Sequence, residues 1–205
     1  MKKLFLCSSF ADVSDLLQKF AKEKLKNKTV TFIPTASIPE KIKFYVGADR
    51  KALEKLGLII DELEISKTTS EEISRKIKQN DYIFVSGGNT FFLLQEIKKT
   101  NTDKVFIDEI NNGKLYIGAS AGSMIMSPNI EYVKDMDNCK KATDLEDYSS
   151  LSLVDFYPLP HYTNFPFVKA TEKIINKFQS RIKLIPISNS QVILVRNNKV
   201  KVQSK

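Results

Sequence analysis

Residues 118–122 of the chain, Gly-Ala-Ser-Ala-Gly, have the composition and spacing of a turn that presents a nucleophile. Residues 114–117 (Lys-Leu-Tyr-Ile) precede it and residues 124–126 (Met-Ile-Met) follow it, so the sequence predicts a strand, a sharp turn and a helix. In such a turn the residues two before and two after the serine pack together, and both need minimal side chains. The pattern predicts a nucleophile elbow that exposes the hydroxyl of Ser120. A small-residue turn without chemistry is the alternative that this motif alone leaves open.

The chain has one histidine, His161, in the run Leu-Pro-His-Tyr-Thr-Asn at residues 159–164. A serine nucleophile needs a base whose pKa is near neutrality, and imidazole supplies one. If the chain is a serine hydrolase with a histidine base, that base must be His161. The order of serine and then histidine also agrees with that of hydrolases built on an elbow. A histidine that only packs in a proline-rigid loop is the alternative.

Two consecutive glycines occur in residues 86–90, Ser-Gly-Gly-Asn-Thr, between a predicted strand and a predicted helix. Their backbone amides are unobstructed by side chains. In a serine hydrolase the amide of Gly88 would form one arm of an oxyanion hole, and the amide of Ala121 the other. In a phosphate-binding protein the same loop would hold an anion. It has neither the Gly-Lys-Ser/Thr ending of a P-loop nor a G-x-G-x-x-G spacing.

Short apolar runs alternate with amphipathic segments along the chain. We expect strands at residues 4–7, 30–33, 58–65, 82–85 and 114–117, and helices at about 12–24, 40–56, 70–79, 90–99, 103–112 and 167–178. Residues 192–202 resemble a hairpin. The alternation predicts an α/β fold with a mostly parallel sheet flanked by helices. Loops that follow successive parallel strands meet at one edge of such a sheet, where ligands normally bind.

Length and composition fit a single domain over residues 1–205, with 42% hydrophobic residues to form its core. No run of about 18 apolar residues exists, so we expect no membrane span. The apolar run that begins at Leu4 is too short for a signal peptide, and a cytoplasmic protein is expected. Cys7 and Cys139 are far apart in sequence and have no ligand-like neighbours. They predict neither a disulfide framework nor a metal site, and no cofactor is implied.

The net charge is +8, from 32 Lys and Arg against 24 Asp and Glu. A basic balance raises the expectation of nucleic acid or of an anionic substrate. The lysines are interleaved with glutamates, however, and no arginine-rich block or alternation of aromatic and basic residues occurs. Solvated helix faces explain the charge better, and we expect no nucleic-acid partner.

The three motifs, at residues 86–90, 118–122 and 159–164, resemble in this order and at these separations those of peptidase E, the α-aspartyl dipeptidase group of serine peptidases (family S51). The resemblance spans most of the chain. It implies a cytoplasmic enzyme, monomeric or homodimeric, whose sheet-and-helix core is similar to class I glutamine amidotransferase (flavodoxin-like) domains. It also implies hydrolysis of small peptides, dipeptides with an N-terminal aspartate. Ser120 would be the nucleophile, His161 the base, and Gly88 with Ala121 the oxyanion donors.

The third member of the triad is the point at which the sequence departs from this family. The family's acidic partner is placed either shortly after the nucleophile, which corresponds to Asp135, or in a late strand and loop. The late region, residues 186–192, contains no carboxylate. Asp135 is the expected partner of the histidine, with Asp137 close by. Asn189 or Gln191 is the alternative, since an amide oxygen can also accept the imidazole N–H.

Recognition of an aspartyl side chain requires a cation. The candidates are Lys169, Lys173, Arg181 and Arg196, and none stands beside the histidine motif. Three further alternatives therefore stay open. The chain could be a weak or silent homologue that binds a small acidic metabolite, a hydrolase of another amide or ester, or a protein associated with nucleic acid.

Overall fold

The computed structural model describes residues 1–205 as nine strands and eight α-helices, joined by loops that contain four short 3₁₀ turns. The strands are β1 (Lys3–Cys7), β2 (Thr29–Ile33), β3 (Ile59–Glu62), β4 (Tyr82–Val85), β5 (Leu115–Ala119), β6 (Tyr157–Leu159), β7 (Leu184–Pro186), β8 (Gln191–Arg196) and β9 (Lys199–Ser204). The helices are α1 (Phe10–Val13), α2 (Asp15–Ala21), α3 (Phe44–Lys55), α4 (Ser70–Gln79), α5 (Thr90–Lys99), α6 (Thr102–Asn111), α7 (Ala121–Met124) and α8 (Val168–Phe178).

Seven strands form one central sheet in the order β3-β2-β4-β5-β1-β8-β9. The five strands from β3 to β1 are parallel, whereas β8 runs antiparallel to β1 and β9 antiparallel to β8. The predicted α/β fold, a mostly parallel sheet flanked by helices, is confirmed. The carboxyl ends of β1, β4 and β5 lie side by side, because Cys7 pairs with Ala119 and Val85 pairs with Gly118.

The central strands are apolar because helices cover both faces of the sheet. Successive residues of β1 belong to different sides of the core: Leu4 and Leu6 pack into one cluster of 25 buried residues, and Phe5 and Cys7 into another of 18. Side chains alternate between the two faces of a strand, so a strand buried on both faces reads as a continuous hydrophobic run. The sheet is thus a rigid support for the loops at its edge.

A second, two-stranded sheet lies outside the central one. Its strands, β6 and β7, are parallel, and Leu159 at the end of β6 pairs with Pro186 at the end of β7. The loops that follow β6 and β7 therefore leave from the same end of this small sheet. These strands have only three residues each, and the sequence analysis does not predict them as a pair.

Some helix boundaries differ from those expected. The segment predicted as one helix over residues 12–24 is divided into α1 and α2 at Ser14, where the amide of Leu17 donates to the Ser14 carbonyl in a tighter turn. The next helix, expected from residue 40, begins only at Phe44. The helix expected after the elbow is the single turn α7. The helix expected over residues 70–79 is α4, and Thr69 caps it, because its hydroxyl accepts from the amide of Glu72.

None of the helices combines the length and the apolar character that crossing a membrane requires.

Candidate active site

Ser120 stands between the end of β5 and the first turn of α7, in the conformation of a nucleophile elbow. Its φ of 48° and ψ of −106° are unusual for a residue with a side chain. Such a conformation costs about 1–3 kcal/mol and persists only where the surroundings hold it. The amide of Ser120 donates to the Cys7 carbonyl of β1 (2.9 Å), and the Ser120 carbonyl accepts from the amides of Ser123 and Met124. The backbone on both sides of the serine is therefore fixed.

The glycines of the elbow are needed because the two sides of the turn touch. A Cβ atom added to Gly118 would lie 2.4 Å from the carbonyl oxygen of Gly122, well inside any real contact. The carbonyls of this turn have their own donors: Tyr116 Oη donates to Gly122 (2.7 Å), and Ser123 Oγ to Gly118 (2.7 Å). The elbow is thus closed by backbone contact and by buried hydroxyl groups.

His161 meets Ser120 directly. It lies two residues after β6, and its Nε2 is 2.9 Å from Ser120 Oγ. The imidazole stacks on the ring of Phe167, with the ring centroids 4.7 Å apart and the planes 23° from parallel. His161 has a φ of 63°, so the loop turns sharply at this residue. The two motifs that the sequence separates by some 40 residues therefore form one constellation.

Asn189 occupies the other side of the imidazole. Its Oδ1 is 2.8 Å from His161 Nδ1. An amide oxygen can only accept, so Nδ1 carries the proton and Nε2 is left free to accept from the serine hydroxyl. Burial lowers the pKa of His161 below its ordinary value, and the bond to Asn189 opposes that shift. The imidazole is accordingly neutral at neutral pH.

Asp135, the expected partner of the histidine, is placed elsewhere. Its Oδ1 is 2.5 Å from Lys173 Nζ on α8, and its Oδ2 is 3.9 Å from Lys177 Nζ. Asp135 cannot serve as this partner, because it ends a short 3₁₀ turn (Glu131–Asp135) that packs beside α8. The position at His161 Nδ1 is occupied by Asn189, from the loop after β7. Of the two alternatives, the geometry places the late asparagine at the imidazole.

Asp137 is also engaged away from the histidine. Its Oδ2 accepts from the backbone amide of Thr90 (2.9 Å) and from the Thr90 hydroxyl (2.5 Å), at the start of α5. Burial raises the pKa of Asp137 to about 6, while the bonds from Thr90 lower it. Asp137 therefore anchors the residue that follows the glycine loop.

The glycine loop lies against the elbow. A Cβ on Gly87 would be 3.2 Å from Ser120 Cβ. Gly88 has a φ of 138°, and a Cβ there would lie 2.1 Å from the Ala36 carbonyl oxygen, so only glycine fits. The same carbonyl accepts from the amide of Asn89 (2.7 Å). The Gly88 amide donates to no backbone or side-chain acceptor of the protein, and Ala121 is the first residue of α7, so its amide has no partner within the helix.

Two residues that contribute to the site were not predicted from the sequence. Phe167, which none of the sequence motifs includes, stacks on the imidazole. Asn164, although part of the histidine motif, had no assigned role; its Oδ1 accepts from the amide of Asn189 (2.9 Å) and joins the two loops. An asparagine three residues after the histidine was the available signal.

The cations proposed for substrate recognition are spread over the molecule. Arg196 pairs in register with Lys3, at the end of β1 opposite to Ser120, and its Nη2 donates to the Phe20 carbonyl. Lys173 is paired with Asp135. Lys169 forms no ion pair and lies two residues after Phe167, in the first turn of α8. No group of three or more His, Cys, Asp and Glu side chains is arranged to hold a metal ion.

The fold and this site define a class: a serine-type hydrolase on an α/β sheet, with the nucleophile at a strand-to-helix elbow. The model of peptidase family S51 matches residues 4–203, and the chain belongs to that family, so it is a serine-type peptidase. The suspected resemblance is confirmed.

Relatives and solved structures agree with this assignment. The chain is 52% identical over 200 residues to an uncharacterized peptidase, Lmo0363, of Listeria monocytogenes (98% of this chain and 97% of the relative). It is 30% identical over 169 residues to a protein named peptidase E from a Nostoc species (80% of this chain, 66% of the relative). A crystal structure of a candidate peptidase E from Listeria monocytogenes EGD-e superposes with a TM-score of 0.96 at 52% identity, over 100% of this chain and 99% of that one. A peptidase from an acI-B1 Actinobacterium, 18% identical with a TM-score of 0.71 over 100% and 88% of the two chains, shares the fold.

Proposed function

We propose that this peptidase hydrolyses small peptides through a Ser120–His161–Asn189 triad. The observation that carries the proposal is the continuous chain of contacts from Ser120 Oγ to His161 Nε2 (2.9 Å) and from His161 Nδ1 to Asn189 Oδ1 (2.8 Å). Both distances are those of hydrogen bonds, and the order of groups is that of a nucleophile, a base and an orienting acceptor. Asp135 is not part of this triad.

In the first half of the reaction, Ser120 Oγ attacks the peptide carbonyl carbon while His161 Nε2 takes the hydroxyl proton. The resulting imidazolium gives that proton to the departing amine, which leaves an acyl-enzyme. Water then repeats the sequence with the acyl group, and Ser120 regains its proton. Because burial keeps the pKa of His161 below its ordinary value, the base is ready to accept at neutral pH.

The negative charge on the tetrahedral oxygen requires donors that are in place before the reaction. The amides of Gly88 and Ala121 are the proposed pair, since the glycine loop lies against Ser120 and neither amide is used by the helix or loop that contains it. Donors of this kind contribute about 10²- to 10³-fold each in a comparable hydrolase. No metal or organic cofactor takes part in the proposed reaction.

The substrate we propose is a dipeptide with an N-terminal aspartate, which the resemblance of the three motifs to peptidase E implies; a relative of the chain carries that name. Lys169 is the cation we assign to the substrate carboxylate, since it is unpaired and close in sequence to the ring that stacks on His161. Neutralising it as Lys169→Met should raise KM for Asp-X peptides by about tenfold, as loss of one charge-assisted hydrogen bond would. Lys199→Met, on the distant strand β9, is the matched control.

The deciding experiment is hydrolysis of a panel of Asp-X, Glu-X, Asn-X and Ala-X dipeptides, with Ser120→Ala and His161→Ala as blanks. Cleavage confined to Asp-X and absent from both variants is the expected result. Cleavage of the other dipeptides in the panel would support the proposed mechanism but contradict the proposed specificity for aspartate. If nothing is cleaved, the rate at which a fluorophosphonate labels Ser120 separates a hydrolase of another amide or ester, which reacts, from a silent binding protein, which does not.

A further inference from the structure

Ser8, a buried residue of which only 2% is exposed, lies where the loops that hold the base and its partner come together. It directly follows β1 and belongs to none of the three sequence motifs. Its Oγ accepts from the backbone amide of His161 (3.0 Å) and donates to the carbonyl of Ile187 (3.0 Å). One hydroxyl thus joins the loop after β6, which carries His161, to the loop after β7, which carries Asn189.

Cys7, the residue before Ser8, holds the backbone of the nucleophile in the same way. The carbonyl of Cys7 accepts from the amide of Ser120 (2.9 Å) and from Ser123 Oγ (2.8 Å). Two consecutive residues at the end of β1 therefore fix the backbone of the nucleophile and that of the base. Both anchors therefore start from a strand that is paired on both sides, with β5 and with β8.

The contact at His161 is needed because the backbone there is unusual. A φ of 63° is rare for a histidine, and a loop of this kind relaxes unless other groups hold it. Ile187 binds the same loop through its own backbone, since its amide donates to Leu159 and its carbonyl accepts from Tyr162. Removing the Ser8 hydroxyl would leave the partly buried His161 amide without an acceptor and would weaken the link to Ile187.

We propose that Ser8 is a positioning residue that sets the imidazole of His161 between Ser120 and Asn189. The proposal rests on the triad proposed above for its catalytic consequence, but the placement of the ring can be measured without turnover. The side chain of Ser8 touches neither the serine hydroxyl nor the imidazole nitrogens. It acts through the backbone of the histidine.

The first measurement uses the fact that the chain has a single histidine, so its imidazole signals are unambiguous. Long-range ¹H–¹⁵N spectra of labelled protein report which ring nitrogen carries the proton. Wild type should show the Nδ1–H form, which Asn189 selects, and Ser8→Ala should show a mixture with the Nε2–H form. Ser9→Ala is the control, since Ser9 is the next residue and its side chain caps no helix amide. Tautomers unchanged in Ser8→Ala would overturn the proposal.

The second measurement is the rate constant for fluorophosphonate labelling of Ser120. We expect Ser8→Ala to lose about 10- to 100-fold, the scale of a displacement near 1 Å, and Ser9→Ala to be unchanged. On an Asn189→Ala background the same substitution should cost much less, because residues that act through one geometry are not additive. A loss of equal size on both backgrounds would show that Ser8 acts independently of the imidazole geometry, against the proposal.

The two proposals fail in different ways. If wild type is not labelled but the tautomer shift appears in Ser8→Ala, the role of Ser8 stands and the peptidase mechanism falls. If wild type is labelled and Ser8→Ala changes neither rate nor tautomer, the mechanism stands and the role of Ser8 falls. Unfolding in denaturant accompanies both experiments, so that a general loss of stability in Ser8→Ala is recognised.

Discussion

The partner of the imidazole is an amide where a carboxylate is the common choice, and this difference has chemical consequences at the scale of a single residue. An amide oxygen selects the tautomer and the orientation of the ring as a carboxylate does. It stabilises the imidazolium less, because it brings no charge. Asn189 opposes only in part the fall in the pKa of His161 that burial causes. The imidazole of His161, the proposed base, is therefore neutral at neutral pH, and its protonated form is stabilised less than it would be beside a carboxylate.

Replacing Asn189 by aspartate should change the pH dependence in a definite direction. A carboxylate 2.8 Å from Nδ1 would favour the protonated ring and raise the pKa of His161, by about 1 unit or more. Activity requires the neutral ring, so the acidic limb of the pH profile would move to higher pH. The plateau rate should rise, since the imidazolium formed during attack is better stabilised. The measurement is kcat/KM, or the labelling rate of Ser120, between pH 4 and 9; an unmoved limb contradicts the assignment of Asn189.

Asp135 provides the complementary test. Asp135→Asn should leave turnover within about twofold of wild type, because this carboxylate, itself only 16% exposed, pairs with Lys173 on α8 and does not contact the imidazole. Asn189→Ala should lower kcat by about 100-fold or more, since the ring loses its orientation. Assaying both variants on the same peptide decides between the two partners. A large loss from Asp135→Asn would return it to the triad.

At the scale of the element, the elbow depends on a close approach between the end of β5 and the first turn of α7. A side chain at Gly118 cannot be accommodated, because its Cβ would lie 2.4 Å from a backbone oxygen that cannot move aside. The strained angles of Ser120 exist only while this turn is closed. The position of Ser120 therefore depends on the same close contact that packs the end of β5 against α7.

Gly118→Ala should accordingly lose both activity and stability. Overpacking of this kind costs about 1–3 kcal/mol of the free energy of unfolding, and opening of the turn would displace Ser120 Oγ from His161. Gly47→Ala is the matched control: it lies in α3, nothing stands within 4 Å of its added Cβ, and alanine in a helix should add about 1 kcal/mol. Urea unfolding of both variants is the measurement. Equal stability of Gly118→Ala and wild type would contradict the account of the elbow.

Elements with strong local signals were predictable and those without were not. The continuous apolar runs of β4 and β5 predicted these strands correctly, because such a signal depends on neighbours in sequence. The pairing of β6 with β7 joins residues about 27 apart through three-residue strands, and nothing local announces it. That pairing is what brings Asn189 to His161, so the sequence could leave Asn189 only as an alternative to Asp135.

At the scale of the whole molecule, the site forms where one edge of the central sheet meets the loops of the small two-stranded sheet. The end of β1 supplies Cys7 and Ser8, the end of β4 the glycine loop, and the end of β5 the nucleophile. The loops after β6 and β7 bring His161 and Asn189, the other two members of the proposed triad, from the side. Parallel strands make the convergence of the glycine loop and the elbow automatic, so these two motifs could be expected to meet before any distance was known; the histidine motif follows β6, outside the central sheet.

The loop at the end of β4 is also tied to the core by a buried acid, and this should show in the stability of the whole protein. Asp49 of α3 is 4% exposed and accepts from Ser86 Oγ at 3.1 Å. Burial raises the pKa of Asp49 from 3.8 to about 7, against the opposing effect of the Ser86 bond. Between these two values the folded protein holds a proton that the unfolded chain releases. The free energy of unfolding contributed by this group therefore falls as the pH rises from about 4 to about 7.

Asp49→Asn removes the titrating proton and keeps an acceptor for Ser86. Its free energy of unfolding should consequently decline less steeply than that of wild type between pH 4 and pH 7, and the variant should be the more stable of the two above pH 7. Other titrating groups are common to both proteins and cancel in the comparison. Glu54→Gln, an exposed substitution on the same helix, should leave the pH dependence unchanged. Urea unfolding at four or five pH values measures the slopes. Parallel curves for wild type and Asp49→Asn would show that the carboxyl group of Asp49 is ionised in the folded protein. The Ser86 hydroxyl would then donate to a charged carboxylate and not to a protonated carboxyl group.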